Sequence, residues 1–198
     1  MSPDWNERFS QADFVYGTEP NDFLRQMATE LPKGRVLLLA EGEGRNAVYL
    51  ASLGYDVLGV DQSEVGLAKA QRLASERGVT IGTQQADLAE FDIAPSSFAG
   101  IVSISCHLPV AIREPLHRKV VNGLQSGGVF ILEAYIPQQC GRGTGGPPTV
   151  ELLASLETLR QELDGLQFVH AMELERDVIE GQFHTGTAAV VQIVGRKA

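Results

Sequence analysis

The sharpest chemical signal in the 198-residue chain is the run LLLAEGEGRNAVYLA. A buried-strand pattern breaks there into Gly42, Glu43 and Gly44, then resumes as a helical pattern containing Ala47, Leu50 and Ala51. Gly42, Gly44 and Ala47 satisfy the G-x-G-x-x-G/A spacing that brings backbone close to an adenosine-type ligand at a helix N-terminus. Alone, the spacing also fits a tight strand-to-helix turn that binds nothing. Two further carboxylates follow in step, Asp61 directly after LGV and Asp87 within QQADL. A carboxylate at the end of a second strand can accept bonds from both ribose hydroxyls. Asp87 can accept from an adenine amino group while neighbouring apolar atoms cover the ring. Each carboxylate by itself also reads as a helix cap or a solvated loop residue. Three acidic positions at the carboxyl ends of three successive strands are more specific, because ligands of open α/β sheets bind there.

The charges of the loop separate the candidate ligands. Glu41 and Glu43 flank Gly42 and would set negative charge beside a pyrophosphate, and no Lys is present to make a P-loop. S-adenosylmethionine has no phosphate and brings a sulfonium and an ammonium, which an acidic loop suits better. A dinucleotide-dependent reductase and a non-catalytic module that binds cofactor or a protein partner are the alternatives. Methyl transfer from a sulfonium is an in-line displacement that needs alignment and desolvation more than a catalytic triad. Acceptor-side candidates are few. Ser105, Cys106 and His107 follow the fourth strand; His107 reads either as a base or polar orienter or as a satisfied structural residue, and Cys106 as a small buried one. Arg176 shares strand parity with Met172, Leu174 and Val178, which turns it inward to a carboxylate partner or to an anionic substrate. The loop Gly141 to Pro148 is either a cover for the acceptor or a plain surface connection. His117 and His170 read as surface residues, and no His or Cys cluster has metal-ligand spacing, so no metal is expected.

Short β-type runs alternating with helical patterns must position these groups. The runs are Arg35 to Ala40, Tyr55 to Val60, Val79 to Thr83, Phe98 to Ser105 and Gly128 to Ala134, giving five parallel strands. Helical stripes recur through Phe23, Met27 and Leu31, through Ile112, Leu116, Val120 and Leu124, and through Leu152, Leu156, Leu159 and Leu163. Ser63 reads as a helix N-cap. After Met172 to Val178, the turn GQFHTG leads into a strand over Thr187 to Val194, and two strands so closely connected must pair antiparallel. The expected architecture is therefore a parallel α/β sheet ending in an antiparallel pair, all in one domain. The 21 glycines are the one compositional excess, and 16 Lys and Arg against 25 Asp and Glu leave a formal charge of -9. That sign disfavours nucleic acid, and no N/D-P-P-Y/F run follows the fourth strand. No apolar run approaches the ~20 residues of a membrane span. The start MSPDWNERF lacks signal-peptide character, and two cysteines make no disulfide framework; a cytoplasmic protein is expected.

Taken together, FVYGTEPNDFL, LLLAEGEGRNAVYLA, GVDQS, ISCHLP and EGQFHTGTAAVVQIVGRK resemble the class I S-adenosylmethionine-dependent methyltransferases, within them the branch of tellurite-resistance and thiopurine methyltransferase-like proteins. The resemblance spans nearly the whole chain. It implies a Rossmann-like three-layer sandwich with a seven-stranded, mostly parallel sheet and an antiparallel C-terminal hairpin. It further implies a lid and helix over 1–31, a cofactor-binding core over 35–135 and a substrate-side loop, helix and hairpin over 136–198. On this reading S-adenosylmethionine is the cofactor and a small molecule the methyl acceptor, a thiol or a selenium or tellurium oxyanion. Glu41, Gly42 and Gly44 hold the methionine end, Asp61 the ribose, and Asp87 with Leu88 the adenine, with Asn46, Gln62 and Ser63 as further cofactor-binding residues. Ser105 lies by the methyl donor, and Phe14, Tyr16 and Gly17 lie over the cofactor as a lid, with Phe14 reading equally as part of an aromatic pair that anchors the extension on the core. His107, Arg176 and His184 stand on the acceptor side. The chain departs from the family in having Leu38 and Ala40 where many members have an acidic residue and a Gly, and Thr185 rather than Arg after His184.

Overall fold

The computed structural model describes residues 4–198; residues 1–3 of the expected lid lie outside them. Strand β1 (Arg35–Leu39) is apolar throughout because both its faces are covered, Leu37 and Leu39 on one side and Val36 and Leu38 on the other. It runs parallel to β2 (Asp56–Asp61) and to β4 (Phe98–Ile104). Outside these lie β3 (Gly82–Gln85) and β5 (Leu124–Tyr135), also parallel. Strands β6 (Leu166–Glu180) and β7 (His184–Lys197) form the antiparallel hairpin, with β7 against β5. The order β3-β2-β1-β4-β5-β7-β6 is the seven-stranded, mostly parallel arrangement anticipated above.

Helices close both faces. On one lie α2 (Asp22–Met27), α3 (Arg45–Ser52) and α4 (Glu64–Glu76), whose Phe23, Leu24, Leu50 and Leu73 are fully buried. The other carries α5 (Val110–Gly123) and α6 (Leu156–Glu162), with Leu116, Val120, Leu159 and Leu163 packed on Phe130 and Ile101. Among the described residues, no helix is long and apolar enough to cross a membrane. A short helix α1 (Trp5–Phe9), capped by Asp4, precedes this frame.

Several elements differ from their sequence patterns: β5 already begins at Leu124, β6 at Leu166 and β7 at His184, so the hairpin is longer than its runs and the expected GQFHTG turn shortens to residues 181–183. The third strand begins three residues later than its β-type run, because Ile81 turns into the core before the ladder starts at Gly82. The stripe from Leu152 to Leu163 breaks at Leu153 and Ala154, which are themselves buried, so α6 starts only after its Ser155 cap. The first stripe finishes as a 3-10 turn over Ala28–Glu30.

The order in which strands are added to the sheet reverses at β1 and β4, which opens a crevice at the carboxyl ends of this parallel pair. Both residues at that crevice are left-handed without being glycine: Ala40 has φ 52° and Ser105 φ 55°. Such conformations cost about 1–3 kcal/mol each and cluster where function requires them.

Candidate cofactor and acceptor site

The strand β1 leads through Ala40 into Gly42 (φ 60°) and Gly44 (φ 90°), which turn the chain into α3. A side chain at Gly44 would meet Ala70 Cβ at 2.5 Å, so α3 and α4 approach only because this residue is glycine. Asp61, at the end of β2, fastens the turn: the Gly42 N–H donates to its Oδ2 (2.9 Å) and the Ser63 N–H to its Oδ1 (2.8 Å). Burial raises the Asp61 pKa, and those N–H donors oppose the rise. Ser63 is the N-cap of α4, as its sequence context indicates; its hydroxyl accepts from Gly66 N and donates to Asn6.

The acidic loop is not the open negative surface anticipated from Glu41 and Glu43. Glu41 turns beneath it and accepts from the Ala47 N–H (2.7 Å) in the first turn of α3, and burial pushes its pKa up to about 8. Glu43 is paired with the buried Lys69 (2.7 Å). The loop therefore carries little net negative charge, contrary to the expectation from its sequence, since one carboxyl is largely protonated at neutral pH and the other is neutralised by its partner. A pyrophosphate would need the free N–H groups at the start of α3, and Glu41 already occupies that of Ala47.

The segment before α2 covers this loop. Phe9 lies over Gly42 and Gly66, within 3.1 and 2.9 Å of where their Cβ atoms would be. The Val15 N–H donates to Glu43 Oε2 (2.7 Å), and Arg45 Nη1 donates to Tyr16 O (3.3 Å). Tyr16 faces Phe9 and, at 4.7 Å between ring centres, His184. Phe14 instead lies outward beneath Lys69 and Arg72, and Gly17 closes the turn with φ 75°. Asn46 holds α2 by accepting from the Asn21 N–H (2.9 Å).

The remaining cofactor-side candidates sit at the rim. Gln62 is exposed, its carbonyl accepting from Gln85. Asp87 is exposed and accepts from the Ala89 N–H (2.9 Å), whereas its neighbour Leu88 is buried in the core. Asp87 therefore acts here as the local cap that its sequence context allowed.

On the acceptor side, His107 accepts at Nε2 from the Tyr135 N–H (3.0 Å). Burial lowers its pKa to about 3. The ring is occupied as a structural bridge between β4 and β5, so the expectation of a base at His107 is corrected. Cys106 is inert, its thiol pushed up to about 12 by burial. His184 is buried with no partner at Nδ1, and burial lowers its pKa to about 4, which leaves it neutral. It lies against Tyr16, Tyr135 and Gly145. The Gly141 to Pro148 loop is tied down here rather than free, through Gln139 to Thr144 Oγ1 and Gly145 O, and Thr144 Oγ1 to Thr187 O.

Arg176 does point inward, where Glu133 (2.6 Å) and Glu180 (2.8 Å) bind its Nη2. Glu180 also meets Arg45 Nη2 at 2.5 Å, and Asn21 Nδ2 donates to both carboxylates. Burial would raise the Glu180 pKa, but the two guanidiniums hold it down at about 2. Arg176 thus belongs to a charge-balanced network, not to an unpaired anion site. A cavity of about 10 Å³, the size of one water, lies between Ser105, Tyr135, Arg176 and Glu180. Across Glu180, a more open cleft of about 180 Å³ lies between Tyr16, Arg45 and Gly181.

Glu133, Arg45 and Glu180 were missed from sequence, although Glu133 carried a signal: it is an acid inside GVFILEAY, a run otherwise buried on both faces. His117 is corrected from surface to core, where its Nδ1 meets Glu162 (2.8 Å), itself paired to Arg113. His170 is half-buried against Phe23. Among the described residues, no group of three or more His, Cys, Asp or Glu could hold a metal.

A mostly parallel seven-stranded sheet with an antiparallel β5-β7-β6 end and a glycine turn after β1 is a Rossmann-like α/β fold, shared with solved structures described as S-adenosylmethionine-dependent methyltransferases. Residues 36–128 match the model of a family described as a methyltransferase domain. Over 105 residues the chain is 30% identical to the 2-heptyl-1-hydroxyquinolin-4(1H)-one methyltransferase of Mycobacteroides abscessus, covering 52% of this chain and 46% of that one. The chain thus spans less than half the length of the curated relatives it matches. TehB from Haemophilus influenzae superposes with TM-score 0.72 at 18% identity, over 98% of this chain and 66% of that chain. A structure described for the conversion of a disulfide bond into a thioacetal group during echinomycin biosynthesis superposes with TM-score 0.74 at 18% identity, over 97% and 87%.

Proposed function

We propose that the protein is an S-adenosylmethionine-dependent methyltransferase acting on a small molecule, with residues 4–198 working as one domain. The observation that carries this reading is the Asp61–Gly42 bond at the strand reversal, inside the region that matches the methyltransferase domain. The two strained residues Ala40 and Ser105 flank the same crevice. The donor set fits the cofactor. Backbone of Ala40, Glu41 and Gly42 would receive the methionine end, and Asp61 has lone pairs left for the ribose hydroxyls beyond its two N–H partners. Leu88 would cover the adenine, while Ser105 would sit by the reacting centre. The Glu41 cap on α3 argues against a dinucleotide.

When bound, S-adenosylmethionine supplies an activated methyl group on its sulfonium, which leaves alignment and exclusion of water to the protein. Tyr135 and the neutral His184 offer polar atoms to an acceptor, and Gly145 closes over them. With His107 occupied, the site suits acceptors that carry a free lone pair at neutral pH. Thiolates and selenium or tellurium oxyanions meet that condition, in line with the resemblance to the tellurite-resistance and thiopurine branch. So does the N-hydroxy group named for the mycobacterial relative. The aqueous cytoplasm is the compartment such acceptors share with the cofactor.

Incubation with labelled S-adenosylmethionine and a panel of thiophenol, selenite, tellurite and a 1-hydroxyquinolone tests the reading. Methylated product with release of S-adenosylhomocysteine is expected from at least one acceptor. Tight cofactor binding with no transfer to any of them would contradict it and favour a non-catalytic binding module.

A further inference from the structure

The backbone of Val15 and Tyr16 is gripped from two sides. From the glycine loop, Glu43 Oε2 accepts the Val15 N–H (2.7 Å) and, more weakly, the Tyr16 N–H (3.4 Å), while Arg45 Nη1 holds Tyr16 O (3.3 Å). Lys69 fixes the other oxygen of Glu43 (2.7 Å) and also donates to Asp13 O (2.7 Å). From the β6–β7 turn, the Gln182 N–H donates to Val15 O (3.1 Å). Gly181 packs so closely that a Cβ there would collide with Val15 O and lie 2.6 Å from Tyr16 Cα. Residues 4–17 therefore form a strap from the loop to the hairpin. Its near end lays Phe9 over Gly42 and its far end lays Tyr16 on His184.

The covered surface is the one a cofactor must reach. Asp61 is only 7% exposed, and Phe9 of the strap lies within 3.1 Å of where a Gly42 Cβ would be. Small-molecule sites run to roughly 300 Å³ or more, so a ligand at Gly42 requires the strap to lift. The residue that holds it, Glu43, lies between Gly42 and Gly44, where the ligand would sit.

Resting on the cofactor reading above, we infer that Glu43 is a positioning residue, a latch through which cofactor entry at the glycine loop opens the strap and moves Tyr16 from His184 on the acceptor side. Cofactor and acceptor access are then coupled by one segment.

The test is stopped-flow association of S-adenosylmethionine with the full chain, together with amide hydrogen exchange at Val15. Glu43→Ala should expose the Val15 amide and speed association about fivefold or more, because the gate no longer limits entry. Glu43→Gln keeps an accepting oxygen for Val15 but loses the Lys69 charge, so it should fall between wild type and Glu43→Ala; it also serves if Glu43→Ala fails to fold. A merely structural Glu43 would lower stability without raising an association rate. Faster Val15 exchange with unchanged association would overturn the gate, and unchanged Val15 exchange would overturn the latch. If wild type does not bind S-adenosylmethionine at all, the cofactor reading fails and the gate with it, while Val15 exchange still reports whether Glu43 holds the strap.

Discussion

Exchanging Asp61 for Asn changes one atom and separates the two duties assigned to that side chain. In the structure both carboxylate oxygens accept backbone N–H groups, Gly42 at 2.9 Å and Ser63 at 2.8 Å, in a buried setting. Asn supplies one oxygen and one NH2, so one of those donors must face another donor. Losing a buried hydrogen bond and stranding its partner costs about 1–3 kcal/mol. The free protein should register the low end of this range, a melting temperature lower by about 2–4 °C per kcal/mol for a domain of this size. Cofactor binding should suffer more, because ribose hydroxyls donate to an ionised carboxylate and such bonds are roughly twice as strong as neutral ones. A loss of about 1.4–2.8 kcal/mol corresponds to affinity weaker by about 10- to 100-fold. Calorimetric titration with S-adenosylmethionine beside a thermal melt reads both quantities. A variant that melts lower yet binds the cofactor as tightly as wild type would show that Asp61 only fastens the loop, and would refute its assignment to the ribose.

Gly44→Ala should destabilise by about 2–4 kcal/mol, combining a left-handed backbone at φ 90° with overpacking against Ala70; urea melts check this. Gly145→Ala would bring a methyl within 2.7 Å of His184 and 2.9 Å of the Tyr135 hydroxyl, so acceptor KM should rise while cofactor affinity holds. Although burial alone would raise the Glu162 pKa, bonds to His117 and Arg113 bring it down to about 2. A depressed carboxyl stabilises above its unfolded value near 4.5 and loses that contribution as pH falls toward 2. Glu162→Gln should therefore be clearly less stable than wild type at pH 7, and the gap should narrow between pH 5 and 3; a constant gap would refute the ion-pair account.

Where the sequence was informative, the cause was local. Apolar runs such as Arg35 to Ala40 mark strands covered on both faces, and Gly44 marks the one kind of residue that fits that turn beside Ala70. Ser63 announced its cap because capping involves neighbours in the chain. The partners of charged groups were not legible, since they come from distant elements. Glu43 is neutralised by Lys69 on another helix, and Glu180 by Arg45 across most of the chain. His107 looked available because its occupant is a backbone N–H of β5, which no side-chain pattern records. His117 looked exposed for the same reason: Glu162, which justifies burying it, lies on α6.

On the function proposed above, the crevice between β1 and β4 takes a cationic adenosine cofactor, not a dinucleotide. Titration of the wild-type protein with S-adenosylmethionine and, separately, with NADH tests it most directly. Saturable micromolar binding of S-adenosylmethionine with no heat from NADH is the predicted result. Binding of NADH alone would contradict the account.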